Sequence, residues 1–536
     1  MERAGIHHLE LIILFLLLVA AALAALARRF HTPYPIALVI GGLLISFIPH
    51  MPHVSLRPEL VFLVFLPPLL YVGSSRTSWR DFRANLTNIL ILAFGLVGFT
   101  VLGVALGAGW LLPGFDYRLG AVLGAVIATT DPIAATAIAT RVGLPRSISD
   151  ILAGEGMVND ATGLLALQFT VALMVTGQHP TTGMAILELL RLVSGGVIVG
   201  LVTGFCVHKI SRRITDSPVE ITFTLVTPYI AYLVAEGARA SGVLAVVVCG
   251  LYLGRKNSET LSINARLESE AVWNILDFVL NCIVFILIGL QLPYILTQIH
   301  YLSITRLLLD GAAFSAFLIV LRLFWVFSGA WISYLIRAKL LRREEARPNA
   351  RGVFIVGWTG MRGVLALAAA ISLPNFLASG TPFPERHLII FLAFCVILVT
   401  LVLQGLSLPW LIRKLALGGA TSAQIEEIEA RQKILNTVLE RLHEMESNAD
   451  DEHLQIYRDI ARHYRGRLTM VNAKDDRAQR QKELSLSRDY RNLSRELRDV
   501  ERKTAVELRN ENKINDELLR RLQRELDLTE GHYMGY

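Results

Sequence analysis

Two short polar stretches inside long apolar segments decide how this chain folds: ATTDP at residues 128–132 and EGMVND at residues 155–160. They bring three carboxylic acids, two threonines, an asparagine and a proline into segments that look membrane-spanning. A carboxylate at the centre of a bilayer costs roughly 2.5–3.5 kcal/mol on insertion scales, so it usually marks an ion or proton pathway. We therefore expect a cation and proton exchange site in this region.

The rest of the sequence is typical of a polytopic helical membrane protein. Of its 536 residues 53% are hydrophobic, and apolar runs of about 18 or more residues recur along the first three-quarters of the chain. The runs lack the alternation of a membrane β-barrel. We predict about thirteen transmembrane helices, at approximately these residues: 9–27, 33–49, 55–73, 85–112, 119–140, 147–176, 188–210, 219–239, 242–254, 271–295, 305–336, 351–373 and 386–412.

Basic residues concentrate in the loops on one side of the predicted membrane. The net charge is +7, and with the N-terminus outside every second loop carries arginine or lysine, from Arg28 to Lys414. By the positive-inside rule these loops are cytoplasmic, which predicts a multi-pass protein of the plasma (inner) membrane, in contact with lipid. The charge therefore gives no reason to expect a nucleic-acid partner.

The composition changes near Gly418, where the spans give way to a charged tail with helical preference. We place a transmembrane domain at residues 1–414 and a cytoplasmic helical tail at residues 415–536. From Tyr490 to Leu526 apolar residues recur at helical spacing, which indicates an amphipathic helix. This helix could form a coiled coil across a dimer or dock on its own chain.

Pro132 is predicted to interrupt the fifth span. Proline lacks an N–H and crowds the carbonyl four residues earlier, so the C=O of Ala128 is expected to lose its helical partner. Thr130 and Asp131 would then lie beside backbone oxygens, and oxygen ligands with a carboxylate suit Na⁺ or Li⁺. The alternative is a proline kink without further function.

Asp160, in the sixth span, is the second membrane acid of the predicted site. A carboxyl group that holds either a proton or a cation, never both, is the physical minimum for exchange. Asn159 lies about 100° around the helix from Asp160. We therefore expect Asn159 to hydrogen-bond a neighbouring broken helix rather than to share the cation.

Glu155 lies one helical turn before Asn159 and requires a partner at this depth. The twelfth span offers Arg362, within GWTGMRGV at residues 357–364, where glycines permit an unwound and closely packed segment. We predict a buried, structural Glu155–Arg362 ion pair, with anion binding by Arg362 as the alternative. Arg322, deep in the eleventh span, has no partner that the sequence identifies.

The two interrupted spans occupy matching places in the chain. If spans one to six and eight to thirteen are inverted repeats, the fifth span of each repeat is broken by Pro or Gly beside polar residues, where transporters of this architecture place their site. The predicted fold class is thus an all-α polytopic membrane protein with inverted repeats and crossed discontinuous helices, plus a helical cytoplasmic tail. Asp277, Asn281 and Tyr71 are weaker candidates for lining the cavity.

Four motifs, in this order and in these spans, resemble those of the NhaP/NHE-type sodium/proton exchangers, the monovalent cation:proton antiporter family 1. They are FLPP at residues 65–68, TDP at 130–132, EGMVND at 155–160 and GMRG at 360–363. The resemblance covers about residues 9–412. It implies a homodimer, each protomer with a dimerisation domain and a mobile six-helix core, and a role in sodium transport and pH homeostasis.

The same resemblance implies roles for individual residues. Asp160 would be the shared carrier of cation and proton, and Na⁺ would bind at Asp160, Asp131 and Thr130, directly or through water. Asn159 would support the site, and its pairing with Asp160 resembles the electroneutral exchangers. Several prokaryotic relatives carry an acid just after the Pro-Pro stretch, where this chain has Tyr71.

Other functions remain open at this stage. A K⁺/H⁺ or mixed K⁺/Na⁺ antiporter would use the same scaffold. A channel or a membrane sensor signalling through the tail is a third hypothesis, although nothing in the tail resembles a catalytic or nucleotide-binding module. We expect no enzymatic activity and no cofactor, since no His or Ser is paired with these acids at a metal or nucleophile spacing.

Overall fold

The computed structural model describes residues 2–30, 32–48, 58–131, 144–176, 182–299, 303–340, 347–415, 422–447 and 451–472, with scattered positions between 497 and 523. The chain divides into two compact units, Met1–Gly419 and Ala420–Tyr536. In the described ranges the secondary structure is helical apart from an isolated β-bridge between Phe376 and Pro382. The prediction of an all-helical protein is confirmed for those ranges.

The described part of the first unit is a succession of helices, and those of eight residues or more are labelled α1 to α15. In chain order they are α1 (Glu2–Arg29), α2 (Tyr34–Ser46), α3 (Leu66–Ser75), α4 (Val97–Leu111), α5 (Tyr117–Val126), α6 (Arg146–Thr176), α7 (Thr182–Ser211), α8 (Ser217–Gly237), α9 (Gly242–Thr260), α10 (Ile263–Leu290), α11 (Ile304–Leu335), α12 (Ala350–Trp358), α13 (Val364–Ile371), α14 (Arg386–Val399) and α15 (Gly405–Lys414). Eight helical segments in the described residues are long and apolar enough to cross a membrane. Tyr34–Ser46 and Tyr117–Val126 are shorter apolar helices.

A π-helical turn at Val61–Phe65 leads into α3. The N–H of Leu66 bonds to the carbonyl of Val61, five residues earlier, and Pro67 follows at the start of α3. Proline cannot donate a hydrogen bond and crowds the carbonyl four residues before it, which favours this wider turn. The extra residue in the turn changes which side chains of α3 face the centre of the unit.

Two non-helical segments, here named the first and the second interruption, meet in the first unit. The backbone is not helical at residues 128–131, after α5, and at residues 359–363, between α12 and α13. The N–H of Asp131 donates to the carbonyl of Met361 at 2.8 Å, which joins the two interruptions directly. Pro132, the predicted cause of the first interruption, lies outside the described residues.

The second unit contains two described helices, α16 (Ser422–Ser447) and α17 (Asp451–Asn472). Arg458 of α17 bonds to Glu446 of α16 at 3.0 Å, so the pair forms a helical hairpin. Most of the amphipathic segment predicted from Tyr490 to Leu526 lies outside the described residues.

Candidate functional site

A cavity of about 80 Å³ lies beside the crossing of the two interruptions. A single water-sized probe needs roughly 10–15 Å³, so the cavity can hold a cation with one or a few waters. Its polar lining comes from three places: the first interruption, α6 and α10. The polar residues that line it are Thr129, Thr130, Asp131, Asp160 and Asn281.

Asp160 is the buried acid of this cavity, with 6% of its surface exposed. Within the part of the chain that the structure describes, its Oδ1 accepts no hydrogen bond, and the hydroxyl of Thr129 likewise has no partner. An ionised carboxylate that is buried without compensation is strongly unfavourable. A proton or a bound cation removes that penalty, so Asp160 is chemically suited to hold one or the other.

Thr130 and Asn159 connect the cavity to a buried polar network. The Asn159 side-chain amide donates to the Thr130 hydroxyl, and that hydroxyl donates to Glu155 Oε1 at 3.2 Å. Asn159 thus bonds to the neighbouring broken segment, the contact expected from its position around α6. Because the Thr130 hydrogen is committed to Glu155, its oxygen can offer the cavity only a lone pair.

Glu155 pairs with Arg322, so the predicted Glu155–Arg362 ion pair is wrong. The contact is bidentate: Nη1 lies 2.6 Å from Oε1 and Nη2 lies 2.9 Å from Oε2. Both side chains are at most 3% exposed. Arg322 on α11 reaches Glu155 because it lies beside the end of α12, where it also donates to the carbonyls of Val356 and Gly357, each at 3.1 Å.

Arg362 bonds to the first interruption instead of Glu155. Its Nη1 donates to the carbonyls of Ala128 and Thr129 at 3.1 and 3.0 Å, and its backbone N–H donates to the hydroxyl of Thr400 at 3.1 Å. The Ala128 carbonyl, expected to lie free beside the cation, is therefore bound by Arg362. Arg362 thus bonds to carbonyl groups of the first interruption, and Arg322 bonds to those in the last turn of α12. Water cannot reach such groups in a bilayer.

The two glycines that flank Arg362 are required by close contacts. A Cβ at Gly363 would overlap the carboxylate of Asp131, and a Cβ at Gly360 would overlap the Arg322 side chain. The backbone of Gly363 has φ −130°, which any residue can adopt. The constraint is therefore space rather than backbone conformation.

We expect Gly363→Ala to destabilise the protein by about 1–3 kcal/mol, the usual range for inserting a methyl group into a packed site. The added carbon must displace Asp131 from the cavity wall, so exchange activity should fall as well. The denaturant midpoint of the purified protein in detergent micelles measures the first effect.

Gly73→Ala is the matched control for this substitution. Gly73 lines the same cavity, but nothing lies within 4 Å of a Cβ built there. Because alanine is the better helix former, stability should be unchanged or rise by up to about 1 kcal/mol. A Gly363→Ala protein as stable as the Gly73→Ala protein would contradict the steric account.

The three weaker candidates for lining the cavity, Asp277, Asn281 and Tyr71, have different positions in the structure. Asn281 lines the cavity with Asp160. Asp277 is half-buried and accepts a hydrogen bond from Asn281 at 3.0 Å, but it is not part of the cavity lining. Tyr71 packs on Trp273, with ring centroids 5.2 Å apart, and lines a different cavity. The prediction that Tyr71 and Asp277 line the Asp160 cavity is therefore wrong.

Three residues of the site were not assigned a role from the sequence. Thr129 lines the cavity, Thr400 holds the backbone of the second interruption, and Arg322 neutralises Glu155. Arg322 carried a usable signal, because a charge deep in an apolar span must have a partner. Thr129 and Thr400 carried none, since threonines are frequent in membrane helices and usually bond to their own backbone.

Residues 13–414 match the family model described as "Sodium/hydrogen exchanger, transmembrane". The chain belongs to the sodium/hydrogen exchanger family. The resemblance found in the sequence is thereby confirmed, and the protein is a multi-pass membrane protein of a family of cation/proton antiporters, which are transporters rather than enzymes.

Two relatives and one solved structure of the exchanger family illustrate the range of similarity. The chain is 33% identical over 445 residues to the "Sodium, potassium, lithium and rubidium/H(+) antiporter" of Bacillus pumilus (strain SAFR-032), covering 80% of this chain but only 65% of that longer relative. It is 30% identical over 447 residues to the Na⁺/H⁺ antiporter ApNhaP of Aphanothece halophytica, covering 82% of each chain.

The solved structure is that of the sodium proton antiporter MjNhaP1 from Methanocaldococcus jannaschii. It superposes with a TM-score of 0.61 at 20% identity, covering 76% of this chain and 98% of that one. At this level of identity the likeness concerns the fold.

Proposed function

We propose that this exchanger-family protein is a secondary antiporter that exchanges Na⁺ or Li⁺ for H⁺, with Asp160 as the shared carrier. The observation that carries the proposal is a buried carboxylate with an oxygen that accepts no hydrogen bond from the described residues. Asp131, two threonines and Asn281 add further oxygen atoms to the lining of its cavity. These are the hard oxygen ligands that small monovalent cations prefer. Asp131 and Thr130 complete the site, directly or through water.

One proton exchanges for one cation in this proposal, because Asp160 is its single carrier and Asp131 shapes the site without exchanging a proton. Asn159 is neutral and its amide is bonded to Thr130, so it adds no second charge beside Asp160. Glu155 is held by Arg322 and does not take part in binding. The exchange is therefore electroneutral, by alternating access of the site to the two sides of the membrane.

The architecture that we propose is the one expected for the sodium/hydrogen exchanger family. Thirteen spans, arranged as two inverted repeats, would form a homodimer in the plasma membrane with the tail in the cytoplasm. The two crossed interruptions support the repeat, because each predicted half supplies one of them. The cellular role would be sodium transport and pH homeostasis.

Proton flux from purified protein in liposomes tests the function. A pulse of Na⁺ or Li⁺ should drive proton movement in the opposite direction, and clamping the membrane potential with K⁺ and valinomycin should leave the rate unchanged. A rate that followed the clamped potential would rule out electroneutral exchange. Proton movement that did not require a cation, or currents without countertransport, would favour a channel.

The apparent affinity for sodium should fall as the pH falls. Because a proton and Na⁺ compete for Asp160, the half-saturating Na⁺ concentration rises by up to roughly tenfold per pH unit where the proton occupies most sites. Flux measured at several Na⁺ concentrations and pH values, equal on both sides at the start, gives this slope. A half-saturating concentration independent of pH would contradict a shared site.

K⁺ is the second candidate substrate. The observation that favours it is the name of the Bacillus pumilus relative, which includes potassium and rubidium. The cavity wall of α3 and α10 is mostly apolar and does not fix a cation radius. Parallel assays of the flux in Na⁺, Li⁺ and K⁺, with choline as the inert cation, decide between the two.

A further inference from the structure

A polar pair on α10 adjoins the Asp160 cavity without belonging to the interruptions. Asn281 is 1% exposed and lines the cavity. Its amide nitrogen donates twice to Asp277, one helical turn earlier, to the backbone carbonyl at 2.9 Å and to Oδ1 at 3.0 Å. The polar atom of Asn281 that remains for other ligands is therefore its carbonyl oxygen.

Asp277 lies between the cavity and one end of α10. The helix begins at Ile263, so Asp277 is one turn closer than Asn281 to that end. Its side chain is half-buried, whereas Asp160 is buried. Solvent can reach the Asp277 carboxylate, which accepts a hydrogen bond from the buried amide of Asn281 at the cavity. The pair therefore connects the outside of the protein with the site.

The end of α10 near Asp277 faces the cytoplasm by the positive-inside rule, since Arg255, Lys256 and Arg266 lie there. Arg76 is also close, and its guanidinium donates to Asn274 at 2.7 Å. Among the residues that the structure describes, none forms an ion pair with Asp277. The positive charge of Arg76 acts on this carboxylate without a direct ion pair, so a mobile cation can still reach the carboxylate oxygens.

We propose that Asp277 and Asn281 form a second monovalent-cation site, an entry site through which the cation passes between the cytoplasm and Asp160. Asp277 supplies a carboxylate and Asn281 a carbonyl oxygen, both of which are hard ligands. The role as an entry site rests on the proposed exchange function. Asp160 remains the carrier, so loss of the entry site weakens cation capture without abolishing exchange.

Asp277→Asn should raise the half-saturating Na⁺ concentration on the cytoplasmic side about fivefold, as expected for losing one unit charge close to the cation. The maximal rate should stay near that of the wild type. Everted membrane vesicles expose the cytoplasmic side and right-side-out vesicles the other, where the half-saturating concentration should not change. A general folding defect would lower the maximal rate on both sides instead.

Glu270→Gln is the matched control on the same helix. Glu270 is exposed, and its loss removes the same charge from the same end of α10. A surface charge acts through the local potential, so its effect should disappear at about 1 M choline chloride, where the Debye length is near 3 Å. The Asp277→Asn effect should persist there, and an equal response of both variants to salt would overturn the entry site.

Equilibrium Na⁺ binding to purified protein separates this inference from the exchange function. Calorimetry on Asp160→Asn protein should show residual weak Na⁺ binding, which the double variant Asp160→Asn/Asp277→Asn loses. If Asp160→Asn protein binds no Na⁺, the entry site is overturned while the carrier stands. If residual binding depends on Asp277 but wild-type vesicles show no cation-driven proton flux, the exchange function fails and the second site stands.

Discussion

Asp160→Asn should reduce Na⁺-driven proton flux to the level of empty liposomes. The substitution keeps the size of the side chain but removes the group that alternates between a proton and a cation. The cavity of about 80 Å³ offers no second buried acid at the same position, since Asp131 belongs to the other wall and is only partly buried. Proteoliposomes reconstituted at equal protein content provide the measurement.

Asp310→Asn controls for removing an acid from a membrane helix. Asp310 lies on α11, is half-buried, and pairs with Arg306 at 3.8 Å, away from the cavity. The Na⁺-driven proton flux of the Asp310→Asn protein should remain close to that of the wild type. Substantial Na⁺-driven flux from the Asp160→Asn protein would remove Asp160 from its proposed role as the carrier.

Ligand-dependent stability shows whether a loss of flux reflects loss of binding. Na⁺ at a hundred times its Kd stabilises a protein with one site by about 2.7 kcal/mol. The wild-type and Asp310→Asn proteins should show this stabilisation in detergent micelles. The Asp160→Asn protein should remain folded but show much less of it.

The acids and the helix interruptions could be predicted from the sequence because each is expensive in a bilayer. A carboxylate or a non-helical backbone at this depth persists only where protein groups compensate it. The same reasoning located the long helices well: the sixth span was predicted at 147–176 and the helix runs Arg146–Thr176. The free-energy cost of placing a group in the bilayer therefore identifies candidate site residues from the sequence alone.

The sequence could not predict which acceptor each arginine binds. The free-energy cost of burying a charge shows that a partner is needed but does not identify it. Arg322 and Arg362 both lie in apolar spans, and Glu155 could compensate either. The structure shows that backbone carbonyl groups are also acceptors: Arg362 binds two of the first interruption, and Arg322 binds two at the end of α12. Arg322 reaches Glu155 in addition, because the end of α12 lies beside α6.

The direction of a side chain was the second limit. Tyr71 follows the π-helical turn at Val61–Phe65, and a wider turn adds a residue to the helical register. The face that α3 turns toward the cavity therefore cannot be inferred from ordinary α-helical spacing. Asp277 and Asn281 lie one turn apart on the uninterrupted α10, yet of the two Asn281 alone lines the cavity, so a shared helix face did not place both side chains there.

Breaking the Glu155–Arg322 pair should be among the most destabilising single changes in the protein. Removing one partner of a buried ion pair leaves an uncompensated charge and costs about 3–5 kcal/mol. Glu155→Gln leaves Arg322 without its carboxylate. Arg322→Met leaves Glu155 with Thr130 as its hydrogen-bond partner among the described residues, and it removes two bonds to the end of α12. Denaturant midpoints in micelles should fall for both variants.

A double-mutant cycle distinguishes the observed partner from the one that the sequence suggested. The double variant Glu155→Gln/Arg322→Met should be less destabilised than the sum of the single variants, by an interaction energy within about 0.5–3 kcal/mol. The cycle of Glu155→Gln with Arg362→Met should give a smaller coupling, because Arg362 donates its hydrogen bonds to Ala128 and Thr129. A larger coupling to Arg362 would mean that Glu155 is neutralised from the second interruption, and the assignment of Arg322 as its partner would be wrong.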